Sequence, residues 1–121
     1  MKKYPINTEK AKMIADNDID LIGELLEVFL SHHNEQLAAI KEAVKTKDGQ
    51  SLQYAAHQIK GALRNFGAET AEESAYELEK RGKGNDLHRV DEKVKKLEQE
   101  LGVLADYYYN NDWEKDFIEE E

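Results

Sequence analysis

The chain has 121 residues, of which 40% are apolar and 36% charged, a composition that fits one globular domain and excludes a largely disordered protein. The absence of cysteine excludes a disulfide scaffold, a thiolate metal site and a cysteine nucleophile. The formal net charge of -9 has the wrong sign for binding nucleic acid or an anionic membrane surface. No apolar run approaches the roughly 20 residues that cross a bilayer, and no signal peptide is apparent, so we expect a cytoplasmic protein.

The first half of the chain predicts two helices. Pro5 is the only proline, so no later residue forbids helix. A short helix is predicted from about Thr8 to Asp16. A long helix is predicted from Asp20 to about Val44, because apolar residues recur there every three or four positions. The inward residues of the short helix are predicted to be Ala11, Ile14 and Ala15.

A further helix is predicted from about Gly49 to Phe66. Asp48 is placed to cap its first turn by accepting backbone N–H bonds, and Gly67 is placed to end it in a left-handed conformation. Apolar residues follow a helical period along this segment and should face the core. They are Leu52, Ala55, Ala56, Ile59, Ala62, Leu63 and Phe66.

Two more helices complete the predicted fold. The T-x-x-E spacing of residues 70–73 is typical of a capping box and predicts a helix starting near Ala71 and stopping at Gly82. The most regular periodicity predicts a long helix from Asp86 to Tyr108, with His88 in its first turn. These segments predict an all-α protein, an antiparallel four-helix bundle over residues 1–109 with the N-terminal helix as an accessory.

Residues 110–121 lose the periodicity and are predicted to form an acidic C-terminal tail. Residues 114–121 carry five acidic side chains against one Lys. Trp113, Phe117 and Ile118 are the apolar residues of this tail that could pack against the bundle. A frayed chain end is the alternative.

Three of the four histidines have ordinary structural interpretations. His33 lies on the apolar stripe of the long helix and is expected to fill the end of the bundle, while His32 and His88 are expected to be solvated. No H-x-x-x-H or H-E-x-x-H spacing occurs. We therefore expect no metal site and no cofactor.

His57 lies about 160° around its helix from the centre of the apolar face, so its imidazole is predicted to point to solvent. Lys60, Gly61 and Arg64 lie on the same exposed strip. Glycine in a helix interior costs about 1 kcal/mol relative to Ala. Gly61 at this position therefore suggests a surface that another macromolecule approaches closely, although a tolerated solvent-facing glycine is the alternative.

An exposed neutral imidazole can attack a phosphoryl group, and Lys60 and Arg64 would attract the negative charge of that group. The sequence contains no G-x-x-x-x-G-K-[ST] motif and no other glycine-rich nucleotide loop. We therefore expect the phosphoryl group to arrive on another protein, already activated.

Residues 55–68, AAHQIKGALRNFGA, resemble the signature of histidine-containing phosphotransfer (HPt) domains, and a looser likeness extends from about Asp20 to Tyr108. The resemblance implies that His57 accepts the phosphoryl group, that Lys60 steadies it and that Gly61 permits docking of the partner. Glu79 is similar in position to a Gln or Glu that contacts the imidazole in some members. Ala62 replaces the Ser often found after the glycine.

The resemblance implies a monomeric phosphorelay module that exchanges phosphoryl groups with receiver domains of response regulators or hybrid histidine kinases. The receiver would supply Mg²⁺. Two other classes of function are left open: an interaction module that binds receivers without being phosphorylated, and an enzyme, either a receiver phosphatase or the HPt part of a larger hybrid kinase. The bundle that follows Met1 favours a free-standing protein over the latter.

Overall fold

Helices follow one another along nearly the whole chain. The computed structural model describes residues 5–118, and this range contains no β-strand. The elements are α1 (Thr8–Ile14), α2 (Ile19–Lys45), α3 (Gly49–Arg64), α4 (Glu69–Lys83), α5 (Val90–Asn110) and a C-terminal 3₁₀ helix (Trp113–Phe117). The predicted all-α fold is confirmed.

The four longer helices form a closed ring in which α2 contacts α3, α3 contacts α4, α4 contacts α5 and α5 contacts α2. The short α1 lies outside this ring, against α2 and the 3₁₀ helix. Ala11 and Ala15 face the core as predicted. The prediction that Ile14 faces inward is wrong, because α1 ends at that residue and leaves its side chain exposed.

The apolar face of α3 packs into the centre of the ring. Its predicted members are buried, except that Ala62 is half-buried. At the far end of this face the Phe66 ring contacts the Phe29 ring of α2 edge-on, with 5.4 Å between centroids. Burial of this face fixes the rotation of α3 about its axis and so decides which side chains point outward.

The ends of α3 follow the predicted capping chemistry. The carboxylate of Asp48 accepts a hydrogen bond from the backbone N–H of Ser51 at 3.0 Å. Gly67 has a φ of +73°, and a Cβ at this position would lie 2.8 Å from the carbonyl oxygen of Asn7. Glycine is therefore required here both for the left-handed conformation and for the close approach of the chain before α1.

The predicted capping box over residues 70–73 is wrong. Because the chain turns sharply at Gly67, α4 already begins at Glu69, with Ala68 at its N-cap and no side-chain cap. The predicted start of the last helix is also wrong, since α5 begins at Val90 and His88 lies in the preceding turn. The Arg81 guanidinium donates to the carbonyl oxygens of Asp86 and His88, which holds this turn outside the helix.

The described part of the C-terminal segment packs against the bundle. Trp113 and Phe117 are buried, whereas Ile118 is exposed. The Trp113 ring stacks on the Tyr108 ring with 5.8 Å between centroids, and a Cβ at Gly23 of α2 would lie 3.2 Å from its edge. The Tyr107 hydroxyl donates to Asp116 at 2.8 Å. Of the predicted tail, Trp113 and Phe117 therefore pack against the bundle. Residues 119–121 of that tail lie outside the described range.

Two glycines bring α3 and α4 into backbone contact near one end of the bundle. A Cβ at Gly82 would lie 2.5 Å from the backbone nitrogen of Gln53 and 2.7 Å from the carbonyl oxygen of Gly49. A Cβ at Gly49 would lie 2.8 Å from the carbonyl oxygen of Gly82. The start of α3 therefore touches the end of α4, which makes the pair antiparallel and fixes its register.

This contact predicts opposite effects for two glycine substitutions. Gly82→Ala should lower the free energy of unfolding, because overpacking costs about 1–3 kcal/mol and exceeds the gain of about 1 kcal/mol in helix propensity. Gly102→Ala should raise it by up to about 1 kcal/mol, because a Cβ there meets nothing within 4 Å. Urea unfolding of both variants tests this, and a stabilised Gly82→Ala would contradict the backbone contact.

Candidate functional site

His57 lies near the middle of α3, on the side opposite the buried face. Its side chain is 60% exposed, so the predicted outward orientation is confirmed. Its ring is not isolated, however, because α4 runs alongside and brings one acidic side chain to the imidazole. Nδ1 of His57 lies 2.9 Å from Oε2 of Glu79.

Glu79 also contacts the neighbouring cation of α3. Its Oε1 lies 2.6 Å from Nζ of Lys60, and these two side chains are only 16% and 15% exposed. His57 and Lys60 are three residues apart and therefore lie on one side of α3, where a single carboxylate reaches both. We call His57, Glu79 and Lys60 the His57 triad.

The charge of Glu79 selects the chemistry of the imidazole. Burial alone would raise the pKa of Glu79, but the hydrogen bonds and charges of Lys60 and His57 outweigh it and hold that pKa below the usual value. The ionised carboxylate can only accept hydrogen bonds. We therefore assign the proton of the neutral ring to Nδ1, which leaves the lone pair on Nε2, the nitrogen turned away from Glu79.

Arg64 is not part of this triad. Its Nε donates to Oε2 of Glu72 at 2.9 Å, and its side chain is 63% exposed. It lies two helical turns beyond His57, next to the first turns of α4. The two cations expected beside the imidazole are thus each paired with a different carboxylate of α4.

Gly61 has no packing role in the bundle. A Cβ built at this position meets nothing within 4 Å, and the residue is exposed. The fold would therefore accept a larger side chain here, unlike at Gly82. Packing within the bundle therefore does not explain why glycine, a residue of low helix propensity, occupies this position.

A family model described as the Hpt domain matches residues 24–107, a range that contains all of α3 and α4. The chain belongs to the Hpt domain family. This Hpt domain is also similar to the crystal structure of histidine-containing phosphotransfer protein B (HptB) from Pseudomonas aeruginosa PAO1, with a TM-score of 0.81. The two share 21% sequence identity, and the match covers 98% of this chain and 100% of the other. At this level of sequence identity, the similarity shows that the two proteins share a fold. No curated protein matches the chain.

The other histidines of the Hpt domain lie apart from the triad. The ring of His33 stacks on Phe29 with 5.7 Å between centroids and bonds the carbonyl oxygen of Leu30, as expected for a filler at the bundle end. His32 and His88 are exposed. Across residues 5–118 no three His, Asp or Glu side chains gather in a way that could hold a metal ion. Within the same residues no helix is long and apolar enough to span a bilayer.

Two residues of α4 that lie next to the His57 triad or to Arg64 were not predicted from the sequence. Glu72 pairs with Arg64, and the Tyr76 ring centroid lies 5.0 Å from Nζ of Lys60. Their spacing contains a signal, because residues 72, 76 and 79 follow the three- and four-residue step of one helix face. That face could be matched to α3 only once the register between the two helices was known.

The lowered pKa of Glu79 predicts a pH-dependent effect of Glu79→Gln. A carboxyl group whose pKa is lower in the folded than in the unfolded state stabilises the fold above its usual pKa, and this stabilisation is lost as pH falls through the lowered value. The substitution should reduce the free energy of unfolding by about 1 kcal/mol at pH 7 and by less at about pH 3. Urea unfolding at both pH values measures this.

Glu98→Gln is the matched control, because Glu98 forms an exposed ion pair with Lys41 at 2.9 Å. Such surface pairs contribute about 0–1 kcal/mol. An equal loss of stability for Glu79→Gln at both pH values would contradict an ionised, bridging Glu79.

Proposed function

We propose that His57 accepts a phosphoryl group from the phosphorylated aspartate of one receiver domain and passes it to the aspartate of another. As a member of the Hpt domain family, the chain is a histidine phosphotransfer module of a phosphorelay. The observation that supports His57 as its acceptor is the combination of a 60% exposed imidazole with a carboxylate on Nδ1. This combination leaves Nε2 both accessible and unprotonated.

The transfer step needs no proton to leave the ring. The Nε2 lone pair forms the new P–N bond, while the P–O bond to the receiver aspartate breaks and its electron pair leaves with the carboxylate oxygen. The Nδ1 proton stays in its hydrogen bond to Glu79. The phosphorylated ring carries a positive charge, which the ionised Glu79 stabilises, and the reverse step delivers the phosphoryl group to the second receiver.

Lys60 would stabilise the phosphoryl group during this step. Its ammonium contacts the same carboxylate as Nδ1 of His57, which keeps a positive charge close to the imidazole. Charges about 4 Å apart near a protein surface attract each other by about 1–4 kcal/mol. This attraction is enough to orient a phosphoryl group that arrives activated, with Mg²⁺ supplied by the receiver.

The partner surface around His57 is expected to be mainly uncharged. Lys60 and Arg64 are already paired with α4 carboxylates, so they add little net charge for an acidic receiver to recognise. A groove between α2 and α3 presents mostly apolar atoms, and its lining includes Tyr54 and Gln58, which are three residues before and one residue after His57 on α3. Tyr54, 68% exposed, is the large aromatic anchor that docking surfaces favour. We infer a cytoplasmic monomer that receivers approach on this side.

The acceptor assignment is tested by incubating the chain with a receiver domain carrying radioactive phosphate. We expect acid-labile, alkali-stable label on the wild-type chain and none on His57→Gln. His88→Gln is the control, because this exposed histidine lies in the α4–α5 turn, away from the triad. Label that persists in His57→Gln would contradict the assignment, and receiver binding without label on the wild type would favour the interaction module instead.

Substitutions of Gly61 are expected to affect stability and phosphotransfer differently. Gly61→Ala should raise the free energy of unfolding by about 0.5–1 kcal/mol through helix propensity, because its Cβ meets nothing in the bundle. The bulkier Gly61→Leu should lower kcat/KM for transfer by about tenfold or more, which corresponds to about 1.4 kcal/mol of lost docking. Gly102→Ala, stabilised similarly, should transfer at the wild-type rate, and normal transfer by Gly61→Leu would exclude close docking at this glycine.

A further inference from the structure

Tyr76 lies on α4, one helical turn before Glu79, and takes no part in the burial of the core. Its side chain is 41% exposed, and its ring lies within cation–π range of two ammonium groups. Nζ of Lys60 is 5.0 Å from the ring centroid and Nζ of Lys80 is 4.5 Å from it. The ring does not contact His57, so any influence on the imidazole passes through Lys60.

We infer that Tyr76 is a positioning residue for phosphotransfer, which holds the Lys60 ammonium against Glu79 beside His57. This inference rests on the proposed role of His57 as acceptor. It adds a residue of α4 that neither the HPt signature nor the periodicity of the sequence singles out.

The Tyr76 ring gives the Lys60 ammonium a second contact on α4. A lysine side chain has four rotatable bonds, and fixing them costs conformational entropy. Its side chain is nevertheless 15% exposed and its Nζ lies 2.6 Å from Oε1 of Glu79. The Tyr76 ring supplies a second attractive surface for the same ammonium, so two contacts from α4 hold one cation of α3.

Placement of Lys60 also decides how Glu79 meets the imidazole. Oε1 of Glu79 contacts Lys60 while Oε2 contacts Nδ1 of His57, so the cation fixes the rotation of the carboxylate. When the ring is removed, Lys60 can leave its site, the carboxylate is released, and the selection of the Nδ1–H tautomer weakens. The ring face therefore acts on phosphotransfer in two ways, through the cation and through the tautomer.

Lys80 provides a built-in control. It contacts the same ring, but its Nζ pairs with Oε1 of Glu77 at 2.9 Å and not with the carboxylate of Glu79, the residue before it in the chain. Removal of this cation tests whether any charge on the ring matters or only that of Lys60.

The experiment compares transfer rates of Tyr76→Leu, Tyr76→Phe, Lys60→Ala and the double variant Tyr76→Leu/Lys60→Ala, with Lys80→Ala as control. We expect Tyr76→Leu to slow transfer about two- to tenfold with less change in receiver affinity, and Tyr76→Phe to restore the rate, because the ring face is retained. The double variant should be no slower than Lys60→Ala, since the ring acts through that lysine. Lys80→Ala should keep the wild-type rate.

A second measurement is independent of phosphotransfer. In the unphosphorylated protein, NMR should give upfield-shifted Cε protons for Lys60 in the wild type and in Tyr76→Phe, and unshifted protons in Tyr76→Leu. Unshifted Lys60 protons in the folded wild type, a Tyr76→Phe as slow as Tyr76→Leu, or additive losses in the double variant would each overturn the inference. A wild-type chain that accepts no phosphate would overturn the proposed function instead, while the NMR comparison would still decide whether Tyr76 holds Lys60.

Discussion

A single carboxylate holds the site together. Glu79 reaches Nδ1 of His57 with one oxygen and Nζ of Lys60 with the other, and both contacts cross from α4 to α3. They are possible only because the two helices run side by side in a fixed register, which the backbone contact between Gly49 and Gly82 establishes at one end. The packing of two glycines thereby positions the carboxylate that contacts an imidazole about two turns further along α3.

The pairing of charges across the α3–α4 boundary has a second consequence. Lys60 and Arg64 are each neutralised by a carboxylate of α4, so the cations that stand out in the sequence do not make a strongly positive surface. A chain with a net charge of -9 would repel an acidic partner at long range. In the proposed docking of a receiver, shape and apolar contact at short range would then count for more than charge, and the open surface at Gly61 and the α2–α3 groove offer both.

Much of the fold could be predicted from the sequence, because burial of an apolar face is a local, periodic property. The face of α3 and the outward position of His57 were confirmed for this reason. The starts of α4 and α5 were predicted wrongly. The turn at Gly67 depends on the approach of the distant Asn7, and the bonds from Arg81 to the next turn of the chain are not a periodic feature of the sequence. The contact of Glu79 was expected only from family resemblance, and the roles of Glu72 and Tyr76 were missed, because helix periodicity contains no information on the register between helices.

The docked C-terminal segment gives the molecule a convenient optical reporter. Trp113 is the single tryptophan of the chain, and its indole is enclosed by Tyr108, Phe117 and the bare backbone at Gly23. Its fluorescence therefore reports whether the 3₁₀ helix (Trp113–Phe117) remains packed against α2. Since the indole lies on different elements from His57, detachment of this segment and chemistry at the imidazole can be followed separately in one sample.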